Sequence, residues 1–348
     1  MTGPLRAPLS APVPVDGVGL HGGTVTAASA GLARFRLAAL GSAVLLVLII
    51  WTGAAVRLTG SGLGCPTWPT CKDGQIVPAR GTHAQIEFGN RVVTGLCLLA
   101  AAMAVLGAFR LRPVRRDLRR LAVVVVIGLF ANAVVGGMIV LLHLKPISVI
   151  AHFLLAIAVL SAAVVLYLDT AAPTTAPVSI SATVSRSSVA GPSMARASSR
   201  WWRAPRSIAL LGTGVVSFTL GTVVTATGPH GGDPDVERLG FSGRDVARLH
   251  SAAVWLLLAV VVAVGVLAQR EGRIAIVRRA SVVLALAIAQ GTVGYVQYFR
   301  GVPAGLVMVH VVLATLLWCA LVVLAHAQPV AASPVIVANN TRVIQPLS

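Results

Sequence analysis

The stretch ANAVVG at residues 131–136 returns 158 positions later as AQGTVG at residues 289–294. A histidine follows each copy at the same spacing: His152 lies twenty residues after Asn132, and His310 lies twenty residues after Gln290. Both histidines lie in long apolar runs, and an ionisable residue inside a bilayer is costly and needs a functional reason. The repeat therefore predicts a duplicated helical bundle with a buried metal-cofactor site in each half.

The composition indicates a polytopic membrane protein. Of the 348 residues, 56% are hydrophobic and only 11% are charged, whereas soluble domains carry about a quarter charged residues. The net charge of +18 comes almost entirely from arginines that flank the apolar runs. This placement reflects membrane topology, so we expect lipid contacts and no nucleic-acid partner. No cleavage site is evident before the first apolar run, which we interpret as a retained helix.

The predicted fold class is an all-α membrane protein with eight transmembrane helices, forming two pseudo-symmetric four-helix bundles related as parallel repeats. The expected helices cover roughly residues 37–57, 86–109, 121–142, 149–168, 207–226, 246–268, 281–298 and 305–327. The expected domains are a cytoplasmic N-terminal tail (1–36), an N-terminal bundle (37–168), a flexible cytoplasmic linker (169–206), a C-terminal bundle (207–327) and a cytoplasmic tail (328–348).

Arginine placement predicts the orientation in the membrane. Clusters of arginine occupy the segments 110–120, 169–206 and 269–280. Because positively charged loops stay in the cytoplasm, both termini are expected there, and the loops 58–85 and 227–245 are expected on the outer side of the cell membrane.

Three histidines are candidate metal ligands at a common depth near the outer surface. His250 and His310 lie on different predicted helices of the C-terminal half, as bis-histidine ligation of a heme iron requires. His152 occupies the matching place in the N-terminal half, where Asn90 stands at the position of His250. The halves are therefore expected to do different work. The alternative is that each histidine is an isolated interfacial residue bonded to a backbone carbonyl.

Glu87 lies three residues before Asn90, so the two share a helical face beside the predicted cofactor pocket. It is a candidate proton acceptor or donor, and the alternative is a carboxylate favoured by the helix N-terminus. His83, four residues earlier, is a candidate proton relay or substitute ligand, and the alternative is a solvated loop residue.

The loop after the first helix contains Cys65 and Cys71, for which a disulfide is feasible; two unpaired thiols are the alternative. Three arginines near the outer helix ends are candidate partners for heme propionates, or else reach lipid headgroups. They are Arg57, Arg91 and Arg248. Asn132 and Gln290 are expected to bond across the bundle.

With these residues in view, the chain resembles the heme A synthase family over roughly residues 37–327. The most specific feature is the run VRLTGSGLGCP at residues 56–66. The others are IEF at residues 86–88 with Asn90 and Arg91, the glycine pair 136–137, and His152, His250 and His310.

The resemblance implies a heme b cofactor between His250 and His310, with heme O bound as the substrate in the N-terminal half. Members of the family oxidise the C8 methyl of heme O to a formyl group through hydroxylated intermediates, which yields heme A for cytochrome c oxidase. Glu87 matches the catalytic glutamate of the family. Asn90, Arg57 and Arg91 would line the substrate pocket, and heme O synthase and cytochrome c oxidase assembly would be the functional partners.

The chain departs from the family pattern in two places. Many members carry a histidine at the position of Asn90, which leaves His152 as the one expected ligand of the substrate heme. Many bacterial members also have a second cysteine pair in the 227–245 loop, where this chain has no cysteine. Three other functions stay open: a bis-histidine transmembrane cytochrome for electron transfer, a heme-binding assembly factor without catalysis, and a transporter with parallel repeats.

Overall fold

The computed structural model describes residues 22–72, 74–78, 81–171 and 201–328. Within them it contains eight α-helices and one 3₁₀ turn, Trp201–Arg203. The helices are α1 (Gly22–Leu58), α2 (Thr82–Arg110), α3 (Arg116–Leu141), α4 (Pro146–Asp169), α5 (Pro205–Thr227), α6 (Gly243–Arg270), α7 (Ile274–Phe299) and α8 (Ala304–His326). All eight are long and apolar enough to cross a membrane, which confirms the all-α class and the number of spans.

The helix ends differ from the expected ones because backbone hydrogen bonds continue beyond the apolar stretch. The helix α1 begins at Gly22, inside the expected tail, and α7 begins at Ile274 and includes the polar residues Arg278 and Arg279. Hydropathy locates the part of a helix in hydrocarbon, but not the turns that emerge from it. Most of the predicted linker and the predicted C-terminal tail lie outside the described residues.

Helix contacts close one ring in each half of the chain, which gives two sets of four helices; that these sets are separate bundles stays a prediction. In the N-terminal set (α1–α4), α1 contacts α2 and α4, and α3 contacts the same two helices. The C-terminal set (α5–α8) repeats this closed ring of neighbours. The helices α1, α4, α5 and α8 also meet between the sets. The symmetry operation that would relate the two sets stays a prediction.

The turns α3–α4 and α7–α8 have the same backbone hydrogen bonds at positions 158 apart. Leu144 N–H donates to the carbonyl of Ile139 (2.9 Å), and Val302 N–H donates to that of Gln297 (2.7 Å). Both donors have positive φ angles, 56° and 60°, which are uncommon for residues other than glycine. The internal repeat seen in the sequence therefore extends to backbone conformation.

Side-chain hydrogen bonds join the two sets between α4 and α8. Trp318 Nε1 donates to Ser161 Oγ (2.8 Å) midway along the helices. At the end where the arginines cluster, His326 Nε2 lies 2.9 Å from Asp169 Oδ1. Leu160 and Leu321 are fully buried in the common core. Because lipid is as apolar as these side chains, close packing and hydrogen bonds must hold the sets together.

Replacing Trp318 with phenylalanine is expected to destabilise the protein by about 1 kcal/mol, because the aromatic ring stays while the indole N–H bond to Ser161 is lost. The thermal unfolding midpoint in detergent, followed by circular dichroism, measures this. The matched control is Trp202→Phe, because Trp202 is 51% exposed and its indole N–H has no hydrogen bond among the described residues. Equal midpoints for the two variants would show that the bond between the sets contributes nothing.

Candidate functional site

Each of the three candidate histidines packs against a glycine on the preceding helix. A Cβ atom placed on Gly136 of α3 would lie 3.1 Å from Cε1 of His152. Gly221 of α5 stands in the same relation to His250, and Gly294 of α7 to His310, also at 3.1 Å. A larger residue would push each imidazole away, so the glycines set where the rings lie. We did not single out Gly221 or Gly294 from the sequence, although the spacing of Gly294 matches that of Gly136.

The three histidines lie at nearly one depth. His152 and His310 are each the seventh residue of their helix, and His250 is the eighth of α6. With a rise of about 1.5 Å per residue, each lies roughly 10 Å from the start of its helix. We call this end, where the α1–α2, α3–α4, α5–α6 and α7–α8 connections lie, the histidine end.

His250 and His310 lie at nearly the same depth on α6 and α8, which are opposite each other in the ring of helices of the C-terminal set. Nδ1 of His250 lies 3.0 Å from the carbonyl oxygen of Ser217. Because a carbonyl can only accept, Nδ1 carries the proton, and Nε2 keeps its lone pair for a ligand. Nδ1 of His152 and of His310 is buried and has no hydrogen-bond partner in the described part of the chain.

The donor set fits heme iron better than a bare metal ion. Among the described residues there is no group of three or more histidine, cysteine, aspartate or glutamate side chains that could hold a metal. An iron that brings four porphyrin nitrogens needs only one or two axial side chains. His250 and His310 would provide two, and His152 would provide one.

The N-terminal set replaces the second imidazole with an amide. Aligning Thr59-Gly60 with Thr227-Gly228 pairs Gly53 with Gly221 and Thr52 with Leu220. Accordingly, Gly53 faces Asn90, with 3.9 Å from its ideal Cβ position to Oδ1. The Asn90 amide is held by Thr52, whose Oγ1 lies 2.7 Å from Oδ1. Thr52 and Asn90 together therefore stand where the other set has Leu220 and His250.

Glu87 and Arg91 attach the disulfide loop, residues 59–72, to α2. The Glu87 side chain is buried, and its Oε2 accepts a hydrogen bond from the Cys65 backbone N–H (2.7 Å). Its other oxygen, Oε1, accepts from Arg91 Nη2 (2.7 Å). Arg91 also donates to the carbonyls of Cys65 (3.1 Å), Thr67 (3.1 Å) and Thr70 (3.0 Å). We did not expect Arg91 to have this role, because the sequence does not show which carbonyls the loop turns toward α2.

The disulfide loop lies over the His152 region. The predicted disulfide between Cys65 and Cys71 is present. The ring of Trp68 packs on Gly137 so closely that a Cβ atom there would be 2.4 Å from Cδ2. Because the neighbouring Gly136 contacts His152, the loop and the candidate ligand share one segment of α3. His83 is exposed and shares a 2.9 Å hydrogen bond with Ser61, which ties the loop to the start of α2.

The three arginines that are candidate partners for heme propionates, Arg57, Arg91 and Arg248, differ in their surroundings. Arg91 is engaged by the loop, and the Arg248 side chain is 73% exposed, 3.8 Å from Asp245. Arg57 is partly buried, and its Nε has no hydrogen-bond partner within the described residues. Of the three, Arg57 therefore combines partial burial with an unpaired donor among the described residues.

The expected hydrogen bonds of Asn132 and Gln290 across the bundle are not formed. Both side chains are 8% exposed, yet Asn132 Oδ1 and Gln290 Oε1 have no partner among the residues that the structure describes. Each lies one turn from the glycine that contacts a histidine, so unpaired polar atoms accumulate near both candidate sites. Unpaired buried groups are costly, and they are typical of sites that bind a polar ligand.

The chain matches a known protein family. Residues 36–228, more than half of the sequence, match the family model of the COX15-CtaA cytochrome oxidase assembly proteins. The chain belongs to this family. With its eight apolar helices, it is a multi-pass membrane protein of the COX15-CtaA family. The match includes Glu87, Asn90, His152 and the disulfide loop, whereas His250 and His310 lie beyond it.

Curated relatives are similar over shorter segments. A heme A synthase of Bacillus pumilus is 33% identical over 120 residues, covering 34% of this chain and 39% of the relative. A heme A synthase of Symbiobacterium thermophilum is 40% identical over 82 residues, covering 23% and 26%. A protoheme IX farnesyltransferase of Thermus thermophilus is 38% identical over 110 residues, covering 30% and 18%. The chain thus spans about two fifths or less of the length of each of these relatives.

Replacing Arg91 with glutamine is expected to speed the reduction of the Cys65–Cys71 disulfide by dithiothreitol about tenfold. The variant removes the charged donor that three loop carbonyls share, and tenfold corresponds to roughly 1.4 kcal/mol of easier loop opening. Thiol labelling with a maleimide over time gives the rate. Arg248→Gln is the matched control, and equal rates for the two variants would show that the loop is held by other contacts.

Replacing Gly137 with alanine is expected to displace Trp68, because the new methyl group would overlap the indole. Amide hydrogen exchange of residues 65–71, measured by mass spectrometry, should become faster. Gly95→Ala on α2 is the control, since nothing lies within 4 Å of that position. Unchanged exchange in Gly137→Ala would mean that the loop accommodates the new methyl group and keeps its amides protected from exchange.

Proposed function

We propose that this protein is a heme A synthase, which oxidises the C8 methyl group of heme O to a formyl group. The proposal rests on one observation. Matching positions in the two sets of helices hold different residues in this member of the family. The C-terminal set has two imidazoles at one depth on opposite helices, and the N-terminal set has His152 with Asn90. Two similar relatives bear the name heme A synthase, which supports the same conclusion.

The C-terminal set would hold a heme b through His250 and His310. The backbone carbonyl of Ser217 orients the His250 ring, and the neighbouring glycines let both rings approach the helix backbones. A heme bound there would supply reversible one-electron transfer to an external electron acceptor, which suits a reaction that adds one oxygen atom and removes four electrons to convert a methyl to a formyl group. The protein's own part is to keep both imidazoles in place and unprotonated at Nε2.

The N-terminal set would bind heme O as substrate. His152 would be the axial ligand, and Asn90, held by Thr52, would lie where the other set has its second imidazole. An amide is a weak ligand for iron, so one face of the substrate would keep a weak or vacant position. The disulfide loop, with Trp68 on Gly137, would limit the access of water from the histidine end.

Glu87 is the proposed catalytic carboxylate. Its carboxylate lies 2.7 Å from the Arg91 guanidinium, and it would act as a proton acceptor when C–H bonds of the methyl group break. The same contacts anchor the disulfide loop, so a substitution affects both roles unless it preserves the loop. Glutamine at this position keeps an oxygen acceptor for Cys65 N–H and removes the base.

The proposed setting is the cell membrane, with both termini and the arginine-rich end in the cytoplasm and the histidine end outside. The proposed partners are heme O synthase, which would deliver the substrate, and the assembly of cytochrome c oxidase, which would use the product. The similarity to a protoheme IX farnesyltransferase supports the first link, because that protein contains a segment like this one. The family description supports the second.

Expression in a host that makes heme O but no heme A tests the function, with extracted hemes separated by chromatography. The wild-type chain should yield heme b and heme A. Glu87→Gln should retain heme b and reduce heme A by at least about a hundredfold, as expected when a general base is lost. His250→Ala combined with His310→Ala should abolish the bound heme b.

Two controls separate the proposal from its rivals. Glu237→Gln replaces another glutamate in the α5–α6 loop and should leave heme A formation unchanged. Slow disulfide reduction, as in the wild type, would show that Glu87→Gln keeps its loop in place. Two equivalents of heme b without heme O or heme A in the wild-type protein would instead indicate an electron carrier, and full activity of Glu87→Gln would remove the assigned base.

A further inference from the structure

Two arginines from different sets of helices come together at the histidine end. Arg57 lies at the end of α1, and Arg238 lies in the α5–α6 loop. Arg57 packs against Gly232, and the guanidinium of Arg238 covers the neighbouring Gly231, so the two positive charges lie close together. Like charges that converge at a partly buried place destabilise the fold unless an anion lies between them.

No described carboxylate neutralises this pair. None of the ion pairs among the described residues includes Arg57 or Arg238. The α5–α6 loop does contain Asp233, Asp235 and Glu237, so acidic side chains are near in sequence yet do not form these contacts. The counter-charge is therefore expected to come from a bound molecule.

The two guanidinium groups are held in place without using all their donors. The stem of Arg57 packs on Gly232, where a Cβ atom would be 3.5 Å from Cγ of Arg57. Arg57 Nε is buried and has no partner in the described part of the chain. Arg238 uses Nη2 to donate to the carbonyl of Pro229 (2.8 Å), and its guanidinium covers Gly231. The remaining N–H groups are available to an anion.

The position of Arg57 points to the pocket of the N-terminal set. Arg57 lies four residues after Gly53, so it occupies the same face of α1, one turn (about 5.4 Å) nearer the histidine end. Gly53 faces Asn90, where the proposed substrate would be bound. In the C-terminal set the equivalent residue is Thr225, so at this position of the repeat the N-terminal set has an arginine and the C-terminal set has a threonine.

We propose that Arg57 and Arg238 form a carboxylate-binding clamp for a propionate group of the tetrapyrrole bound in the N-terminal set. Guanidinium groups bind carboxylates through paired N–H donors, and porphyrin propionates lie at one edge of the ring, away from the iron. Because Arg238 belongs to the C-terminal set, residues of both sets form this edge of the pocket. The backbone bond from Gly62 N–H to the Gly232 carbonyl (2.9 Å) holds the two loops in register at the clamp.

The clamp rests on the proposed function, and its test uses binding instead of turnover. The full-length protein, purified with its heme b, is titrated in detergent with ferric protoporphyrin IX and with its dimethyl ester while the Soret band is followed. The wild type should bind the diacid at least about tenfold more tightly than the diester, because the ester cannot form a charged bond with arginine.

Single and double variants define the site. Arg57→Gln and Arg238→Gln should each weaken diacid binding about tenfold or more and leave diester binding unchanged. The double variant should lose no more than about three times what the stronger single variant loses, because both arginines hold one group. Arg248→Gln, on an exposed arginine of α6, should bind both probes as the wild type does. Retention of the heme b spectrum shows that each variant is folded.

The outcomes separate the possible failures. Equal binding of diacid and diester by the wild type would overturn the clamp and leave the pocket, whereas absence of binding of either probe would overturn the pocket as well. If the arginines instead hold the phosphate of a lipid, diacid and diester will bind alike, and anionic phospholipid that copurifies with the protein will fall in Arg57→Gln and Arg238→Gln. Fully additive losses would show that the two arginines hold different groups.

Discussion

The contact between a glycine backbone and an imidazole on the next helix is the constraint on which the rest of the structure depends. Apolar helices in a membrane gain little from burying one another, so they associate where small residues let them come close. In this protein the close approach at Gly136, Gly221 and Gly294 also positions a histidine each time. Helix packing and placement of the candidate iron ligands are therefore one arrangement, repeated along the chain.

Repetition of that arrangement makes its single exception informative. At Gly53 the partner across the helix pair is Asn90, and Thr52 holds the amide where the other set has an aliphatic residue. The two changes fit each other, since the hydroxyl at position 52 donates the hydrogen bond that the amide oxygen of Asn90 accepts. A duplicated scaffold can in this way keep one site as a symmetric ligand pair and open the other for chemistry.

Much of the fold could be predicted from the sequence, because apolar length and the spacing of 158 depend on local residues alone. The eight spans and the Cys65–Cys71 disulfide are confirmed, and the equal depths of His152 and His310 follow from the repeat. The helix ends were less accurate, since polar turns continue beyond the hydrocarbon. The placement of an iron between His250 and His310 remains a proposal.

Interactions of loops with helices could not be read from the sequence, because they depend on how the chain turns. Arg91 has the charge and the N–H donors that a propionate partner needs, but these donors bind three backbone carbonyls of the loop. No sequence motif marks Arg238, and it comes close to Arg57 only because the α5–α6 loop folds onto the end of α1. The hydrogen bonds expected for Asn132 and Gln290 are also absent from the described part of the chain, since matching polar residues in two repeats need not face each other.

The attachment of the disulfide loop to α2 depends strongly on main-chain atoms. Glu87 accepts from one peptide N–H, and Arg91 donates to three peptide carbonyls, so no loop side chain takes part in these four bonds. The loop can consequently exchange many of its side chains while its path over the helix persists. Such a loop is free to diversify: the surface it offers to a neighbouring protein can change independently of the fold that carries it.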